Sequence, residues 1–522
     1  MIGFDNKLSS KMFSTEINKL MTKANFDVDE THRLKRIRNA WNFYEGYHWE
    51  DMPNGDTPEL TINYIRTFVN KFVAFELGDS FFLNVYDKHE KNEGDENASQ
   101  SAEEDKVYVT VQGKPKTLYQ YLEDVWIENT RDTFCVLLGQ TKSVTGDAWV
   151  KIIFIPPNEL DDPFGEFPLG KIKISVIPTH YVFPTYDPHD IDKLERVEIK
   201  YLITSTEVKG LLRKEKEVDK LYTEVWTKNK IQYYLENKLT EEMDNSYGLI
   251  PFVQIKNFPL AGQEYGASDI EDLIPLNLEY DLKKSDVSEI IDYHAAPITV
   301  VYGAKIGNLE KGANKVWGGL PKDARIENLE SISDLPASNH YISSLKTDMC
   351  EVAGIPETVL GGAKAISNTS GVALQYMNLP LIERTKVKRA LTKTGIEKIN
   401  KIIIHISLLE GLIYKPDDID NVDFYYTDVT VPDTLPKDQL IELQVLQLEM
   451  NMGLESRRGA LERKGCDDVE AKIREIDADR EKNPSYYGLE TDAPQINSGV
   501  LNGETPQETL NSALNGANVS NA

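Results

Sequence analysis

The chain has 522 residues, 40% of them apolar, which supplies several hydrophobic cores and room for about three or four domains. Lys and Arg number 58 against 85 Asp and Glu, a formal charge of −27. That balance argues against a protein gripping nucleic acid through a broad basic face, but not against one past which nucleic acid slides. The three cysteines (Cys135, Cys350, Cys466) lie far apart and offer neither metal spacing nor a disulfide framework. No run of about 18 apolar residues offers a membrane span, and Met1 to Lys11 has no signal-peptide pattern, so a reducing cytoplasm fits.

In chain order, Met12–Ala24 and Asp29–Tyr47 read as helices, the second with Leu34, Ile37, Trp41 and Tyr44 on one face and Gly46 as its stop. Asn63–Leu77 follows, packing Ile65, Phe68, Val69, Phe72 and Phe75. Phe81–Val85 reads as a strand. Asp87–Lys106 is acidic, poor in apolar residues, and reads as a mobile surface excursion without calcium-loop spacing. Thr117–Gly139 reads as one helix. From Ser143 the texture is β, with strands expected at Ala148–Ile155, Lys171–Ile177, Glu195–Thr204, Thr223–Thr227, Lys230–Leu235 and Gly248–Phe258.

A helix is expected to open at Ser268, with Glu271 three residues on as a capping box and Pro275 as a kink or a first-turn residue. The segment Pro297–Ser333 breaks that period with a β-rich, Gly-rich insert. A second helix follows Pro336 and stops at Gly354 and Pro356. Small polar residues then fill Gly361–Gly371, and a long helical pattern runs from Val372 to Glu410, interrupted at Pro380. Beyond it come a β segment (Val422–Thr430) and three helices within Lys437–Lys482. Pro484–Ala522 has no Lys or Arg and reads as disordered.

Enzyme motifs are weak. Gly165–Lys171 matches a phosphate-binding loop through its lysine, then fails. Ile172 stands where a magnesium-binding hydroxyl belongs, Pro168 removes a backbone donor, and a strand follows instead of a helix. A β-hairpin loop explains it better. His180 and His189 near Asp187 and Asp190 could frame a metal, but a turn rich in Asp and Pro accounts for them. His405, within an Ile-rich run, reads as a bonded core residue. No Gly-x-Ser-x-Gly elbow or Cys–His pair occurs.

The order of elements from Asp29 to Met452 resembles the portal proteins of tailed bacteriophages, the head–tail connector rings. The resemblance is carried by Tyr44-Glu45-Gly46 with Asn63, Ile65, Val69 and Leu77-Gly78, and by Thr145-Gly146-Asp147-Ala148-Trp149-Val150 with Ile177-Pro178 and Tyr181-Val182-Phe183-Pro184. Further signatures are Gly248-Leu249-Ile250-Pro251-Phe252-Val253 with Ser268-Asp269-Ile270-Glu271, and Gly354-Ile355-Pro356, Gly361 and Ser370-Gly371-Val372-Ala373-Leu374. The resemblance implies a multi-domain α+β portal fold that assembles as a ring, usually of twelve subunits. Residues 1–267 would be the wing, 268–296 and 337–356 the stem helices, and 297–336 the clip. Residues 357–371 would be the tunnel loop, 372–435 the long wing helix and its β segment, 436–483 the crown, and 484–522 the tail.

It further implies a protein of the virion's portal vertex, assembled in the host cytoplasm, without catalysis, cofactor, metal or membrane contact. Its partners would be further copies of itself, double-stranded DNA passing unread, the terminase large subunit, the major capsid and scaffolding proteins, and a head-completion or tail adaptor protein. Gly361, Gly362, Lys364, Ser367, Asn368, Thr369 and Ser370 become the expected DNA-facing residues. Lys364 is the only charge between Val359 and Ile382. Lys305, Lys311, Lys315 and Trp317 become the expected docking residues of the clip. The alternatives are a cytoplasmic phosphate- or nucleotide-binding enzyme using Gly165–Lys171, and a scaffolding or adaptor protein of the same particle.

Overall fold

Asp27 starts the first well-capped helix by accepting the Glu30 N–H at 2.8 Å, and Gly46 ends it in the left-handed conformation at φ 94°. This helix, α2 (Val28–Glu45), pairs with α1 (Lys11–Ala24). The computed structural model describes residues 11–50, 60–78, 80–84, 108–111, 114–209, 214–295, 299–302, 325–328, 335–361, 376–415, 424–432, 439–463 and 469–482. The architecture is α+β, in two units, residues 1–435 and 436–522.

In the first unit, α3 (Tyr64–Leu77) buries Ile65, Phe68, Val69 and Phe72 of the expected face, while Phe75 is half-buried and Val73, Glu76 and Leu77 are buried beside it. The expected single helix over Thr117–Gly139 is instead two, α4 (Leu118–Glu128) and α5 (Arg131–Thr145). The cause is tertiary. Asn129 donates to the carbonyls of Val125 (2.8 Å) and Ile172 (2.9 Å) and accepts the Ile174 N–H (2.9 Å), while Thr130 takes φ 52°. The side chain thus completes a strand edge and breaks the helix there.

That strand belongs to an antiparallel sheet in which β4 (Asp147–Ile155) is flanked by β5 (Lys171–Ile177) and β11 (Phe252–Lys256). The β4–β5 register runs from Trp149 opposite Ile177 to Ile155 opposite Lys171. A second antiparallel sheet has the order β10-β9-β8-β7-β6, from β6 (Val182–Asp187), β7 (Asp190–Lys209), β8 (Lys214–Thr227), β9 (Lys230–Leu235) and β10 (Lys238–Asp244). Three expected spans shift. Glu195–Thr204 and Thr223–Thr227 lengthen into β7 and β8, and Gly248–Phe258 shortens to β11 because Gly248 sits in a turn at φ 64°. Strands β6 and β10 were not expected. β6 is an edge strand, where Pro184 is tolerated, and β10 is exposed at every position, so it shows no alternation. A short pair joins β1 (Phe82–Asn84) to β14 (Asp428–Thr430), and another joins β2 (Tyr108–Val111) to β3 (Lys114–Thr117).

The helix expected at Ser268 begins at Leu273. No capping box forms: the Ser268 oxygen accepts the Ile270 N–H (3.1 Å), only two residues on, while its hydroxyl donates to the carbonyls of Ser143 (3.1 Å) and Val144 (2.8 Å). Pro275 therefore lies in the first turn of α6 (Leu273–Ala295). Helix α7 (Leu335–Ala353) packs against it, with Ile342, Leu345 and Met349 in the same core as Leu273, Tyr280 and Val287. Between these helices, β12 (Thr299–Tyr302) and β13 (Arg325–Asn328) pair antiparallel. The long helix α8 (Leu379–Leu409) starts with Pro380 in its first turn, where the sequence marked an interruption, and its 31 residues span about 46 Å; Tyr376 and Met377 before it are also helical.

One face of α6 binds an extended segment through backbone groups. Leu60 N–H donates to Ser285 Oγ (3.1 Å), Ile62 N–H to Asp281 Oδ1 (2.9 Å) and Tyr64 N–H to Asn277 Oδ1 (3.1 Å). Asn277 returns a bond to the Ile62 carbonyl at 3.1 Å. His48 is buried behind this ladder, its Nδ1 on Asp281 Oδ2 at 2.5 Å and its Nε2 on the Phe43 carbonyl at 3.0 Å. The second unit contains α9 (Gln439–Asn451), α10 (Arg457–Arg463) and α11 (Val469–Lys482). Among the described residues, no helix is long and apolar enough to cross a membrane.

Candidate functional site

Four fully buried charges meet where α3, α5, the lead-in to α6 and α8 converge: Glu76, Lys142, Asp269 and Lys388. The three on helices occupy positions their spacing assigns to the core, and Asp269 lies in the lead-in before Leu273. Glu76 follows Phe72 by four residues, Lys142 follows Leu138 by four, and Lys388 follows Leu381 by seven. The groups neutralise one another. Lys142 bonds Glu76 and Thr392. Lys388 reaches Asp269 Oδ2 at 2.7 Å and Glu76 Oε2 at 3.3 Å. Ser143 donates to Asp269 at 2.7 Å, and Thr392 donates to Glu76 at 2.8 Å.

Arg384 extends the cluster to α7. It pairs with Asp269 Oδ1 at 2.9 Å, lies over the rings of Phe72 and Phe258, and points at the Val352 and Ala353 carbonyls at 3.5 Å. The end of α7 and the lead-in to α6 are thereby both tied to α8. The expected loop lies on the stretch between α7 and α8.

Burial alone would push both carboxyls up. For Asp269, Lys388 and Arg384 outweigh that effect and hold it at about 2, against 3.8 ordinarily. Lys142 and Lys388 likewise hold Glu76 below its ordinary value. Lys388 is raised, because Asp269 and Glu76 outweigh its burial, whereas burial pulls Lys142 down despite Glu76. A depressed carboxyl stabilises the fold above its unfolded value and loses that contribution as acid reaches its folded value. Asp269 thus contributes fully above about pH 4 and loses its contribution toward about pH 2. Asp269→Asn is expected to flatten the decline of melting temperature across that window, removing about 2 kcal/mol of pH-dependent stability. Thermal scans at stepped pH check it; an unaltered acid slope would contradict the assignment.

Of the expected loop residues, the structure describes Gly361, which closes a turn onto the Thr358 carbonyl (3.2 Å) at φ 85° with open space around it. Gly362, Lys364, Ser367, Asn368, Thr369 and Ser370 lie outside the described residues, as do Lys305, Lys311, Lys315 and Trp317, the excursion 87–106 and the tail. On its near side the loop is anchored by Gly354, left-handed at φ 67°, and by buried Ile355. The far side enters α8 through exposed Tyr376 and Met377.

The phosphate-loop reading does not survive the geometry. Residues 156–170 join two antiparallel strands, and Lys171 donates to the Glu128 carbonyl at 2.9 Å while lying over Phe167. His180 is buried and held down at about 3 by burial, whereas His189 is exposed, so the two do not frame a site. His405 is bonded to the Tyr247 carbonyl at 2.9 Å, as expected of a core histidine. Among the described residues no group of side chains could hold a metal ion.

No curated protein matches the chain. A family model does: the one described as phage portal protein, SPP1 Gp6-like, matches residues 24–485, most of the sequence. That span takes in helices α2 to α11, the two larger sheets and the ion cluster. The chain belongs to the phage portal protein family, whose members are the head–tail connectors of bacteriophage DNA packaging.

Proposed function

We propose that copies of this chain, twelve in the reading taken here, close into a ring at one capsid vertex. In this reading α6 and α7 are the stem, the segment 297–336 is the clip, 357–371 is the tunnel loop, and α9 to α11 are the crown. The clip, through Lys305, Lys311, Lys315 and Trp317, docks the terminase motor during packaging and the tail adaptor afterwards. Capsid and scaffolding proteins meet the outer ring. The particle assembles in the host cytoplasm, and the portal contributes no catalysis.

The observation that carries this reading is the buried ion cluster, which ties both stem helices to the helix emerging from the loop. A channel for DNA must also avoid holding it. Phosphate binding strengthens with each cation that neutralises a phosphate. Helix α7 carries a single lysine, Lys346, and exposes Ser343, Ser344, Thr347, Asp348 and Glu351. Such a face repels or ignores the duplex over a screening distance of about 8–10 Å.

Native mass spectrometry with negative-stain images tests the ring. A closed assembly of about a dozen copies supports it, and a monomer at every salt concentration overturns it. Lys364 is the phosphate contact in this proposal. Lys364→Glu is expected to leave rings intact and to lower nuclease-protected DNA per particle several-fold. Unchanged packaging would remove Lys364 from the mechanism.

A further inference from the structure

Helix α9 has two apolar sides. At 100° per residue, Leu443, Leu446 and Met450 form one row and Val445, Leu448 and Met452 another, roughly 160° around the helix. Met452 keeps its helical placement, its N–H reaching the Leu448 carbonyl at 2.9 Å. The relative exposures are 45% for Leu443, 40% for Met450, 44% for Val445, 59% for Leu448 and 69% for Met452. A third side belongs to α10, because Arg463 bonds Glu449 at 2.5 Å. The fourth carries Gln444, Gln447 and Asn451. Among the described residues of its unit, then, α9 has its acidic side engaged by α10, while both apolar rows stay largely exposed, Leu446 being half-buried.

We propose that α9 packs between two further copies of this chain, its Leu443 row against the Leu448 row of one neighbour and its Leu448 row against the Leu443 row of the other. The proposal rests on the ring reading and adds to it a contact with a direction. One partner would leave one apolar row in water, whereas a subunit of a closed ring has two neighbours, and head-to-tail contacts between unlike patches are what closes rings. Other occupants fit worse. The helix contains no Lys or Arg for a nucleic acid, and a membrane surface takes a single apolar face, not two opposed ones.

The test uses the full chain with Cys466→Ser, which leaves only the buried Cys135 and Cys350. Leu443→Cys and Leu448→Cys are added singly and together, and each preparation is treated with a short bismaleimide and run on a denaturing gel. The double variant is expected to give a ladder of dimers, trimers and higher species up to the ring number. Each single variant should stay monomeric, because 443 never meets 443. Rings seen by native mass spectrometry without a ladder would overturn this contact and leave the ring reading standing. Dimers from a single variant would show like faces meeting and also overturn it. Neither rings nor ladder would remove both.

Discussion

Lys388→Met is expected to destabilise the first unit by about 3–5 kcal/mol, the usual cost of removing one member of a buried ion cluster. Methionine fills nearly the same space, so packing is a small part of the loss. The damage is electrostatic: among the described residues Glu76 keeps its pair with Lys142, and Asp269 keeps its pair with Arg384, itself partly exposed. Lys19→Met is the matched control. Its partner Asp219 sits 2.7 Å away at the surface, and such pairs contribute less than about 1 kcal/mol. Adding Asp269→Asn to Lys388→Met should recover part of the loss, because it removes a stranded carboxylate. Thermal unfolding of the four proteins decides the matter. If Lys388→Met melts with Lys19→Met, the cluster does not hold these helices together.

Gly146→Ala is the second large effect, expected to cost at least about 3 kcal/mol. Gly146 ends α5 at φ 96°, and a Cβ there would stand 2.2 Å from the Gly266 carbonyl oxygen. The reverse approach is as tight, since a Cβ on Gly266 would meet the Gly146 oxygen at 2.2 Å. Two backbone segments therefore cross where β4 begins and where the chain leaves for α6. Asn257 N–H bonds the Gly146 carbonyl there at 2.8 Å. Gly165→Ala separates strain from collision: Gly165 also has positive φ, 69°, but nothing lies within 4 Å of its added Cβ. It should cost about 1 kcal/mol. Equal losses at the two sites would mean that the crossing contributes nothing beyond backbone strain.

Local signals were readable in the sequence where local physics decides. Lys171–Ile177 and Lys230–Leu235 match to the residue, since alternation between turns specifies them. Gly46 and Gly354 end their helices in the left-handed conformation, as expected of stop residues. The failures share a cause in distant groups. Asn129 breaks a helix because a strand 43 residues later needs its amide. Ser268 precedes its helix by five residues, because its hydroxyl is tied to carbonyls about 125 residues earlier. The ion cluster was half legible. Charges at core positions of helices mark buried ions, but Glu76 meets partners 66 and 316 residues away, which no spacing rule connects.

The ladder between α6 and the segment 60–64 divides main-chain recognition from side-chain packing. Three rungs fit because four helical residues advance about 6 Å and two extended residues about 6.6 Å. The mismatch, about 0.6 Å per rung, limits how far such a ladder can extend. Recognition runs through the main chain on one side and through Asn277, Asp281 and Ser285 on the other. Through these rungs α6 holds the main chain of the segment, so proline, which lacks the donated N–H, is barred at 60, 62 and 64. The segment's side chains are held separately, Ile62 and Tyr64 on the core with Tyr64 edge-on to Tyr280, so the rungs fix register and the packing fixes identity.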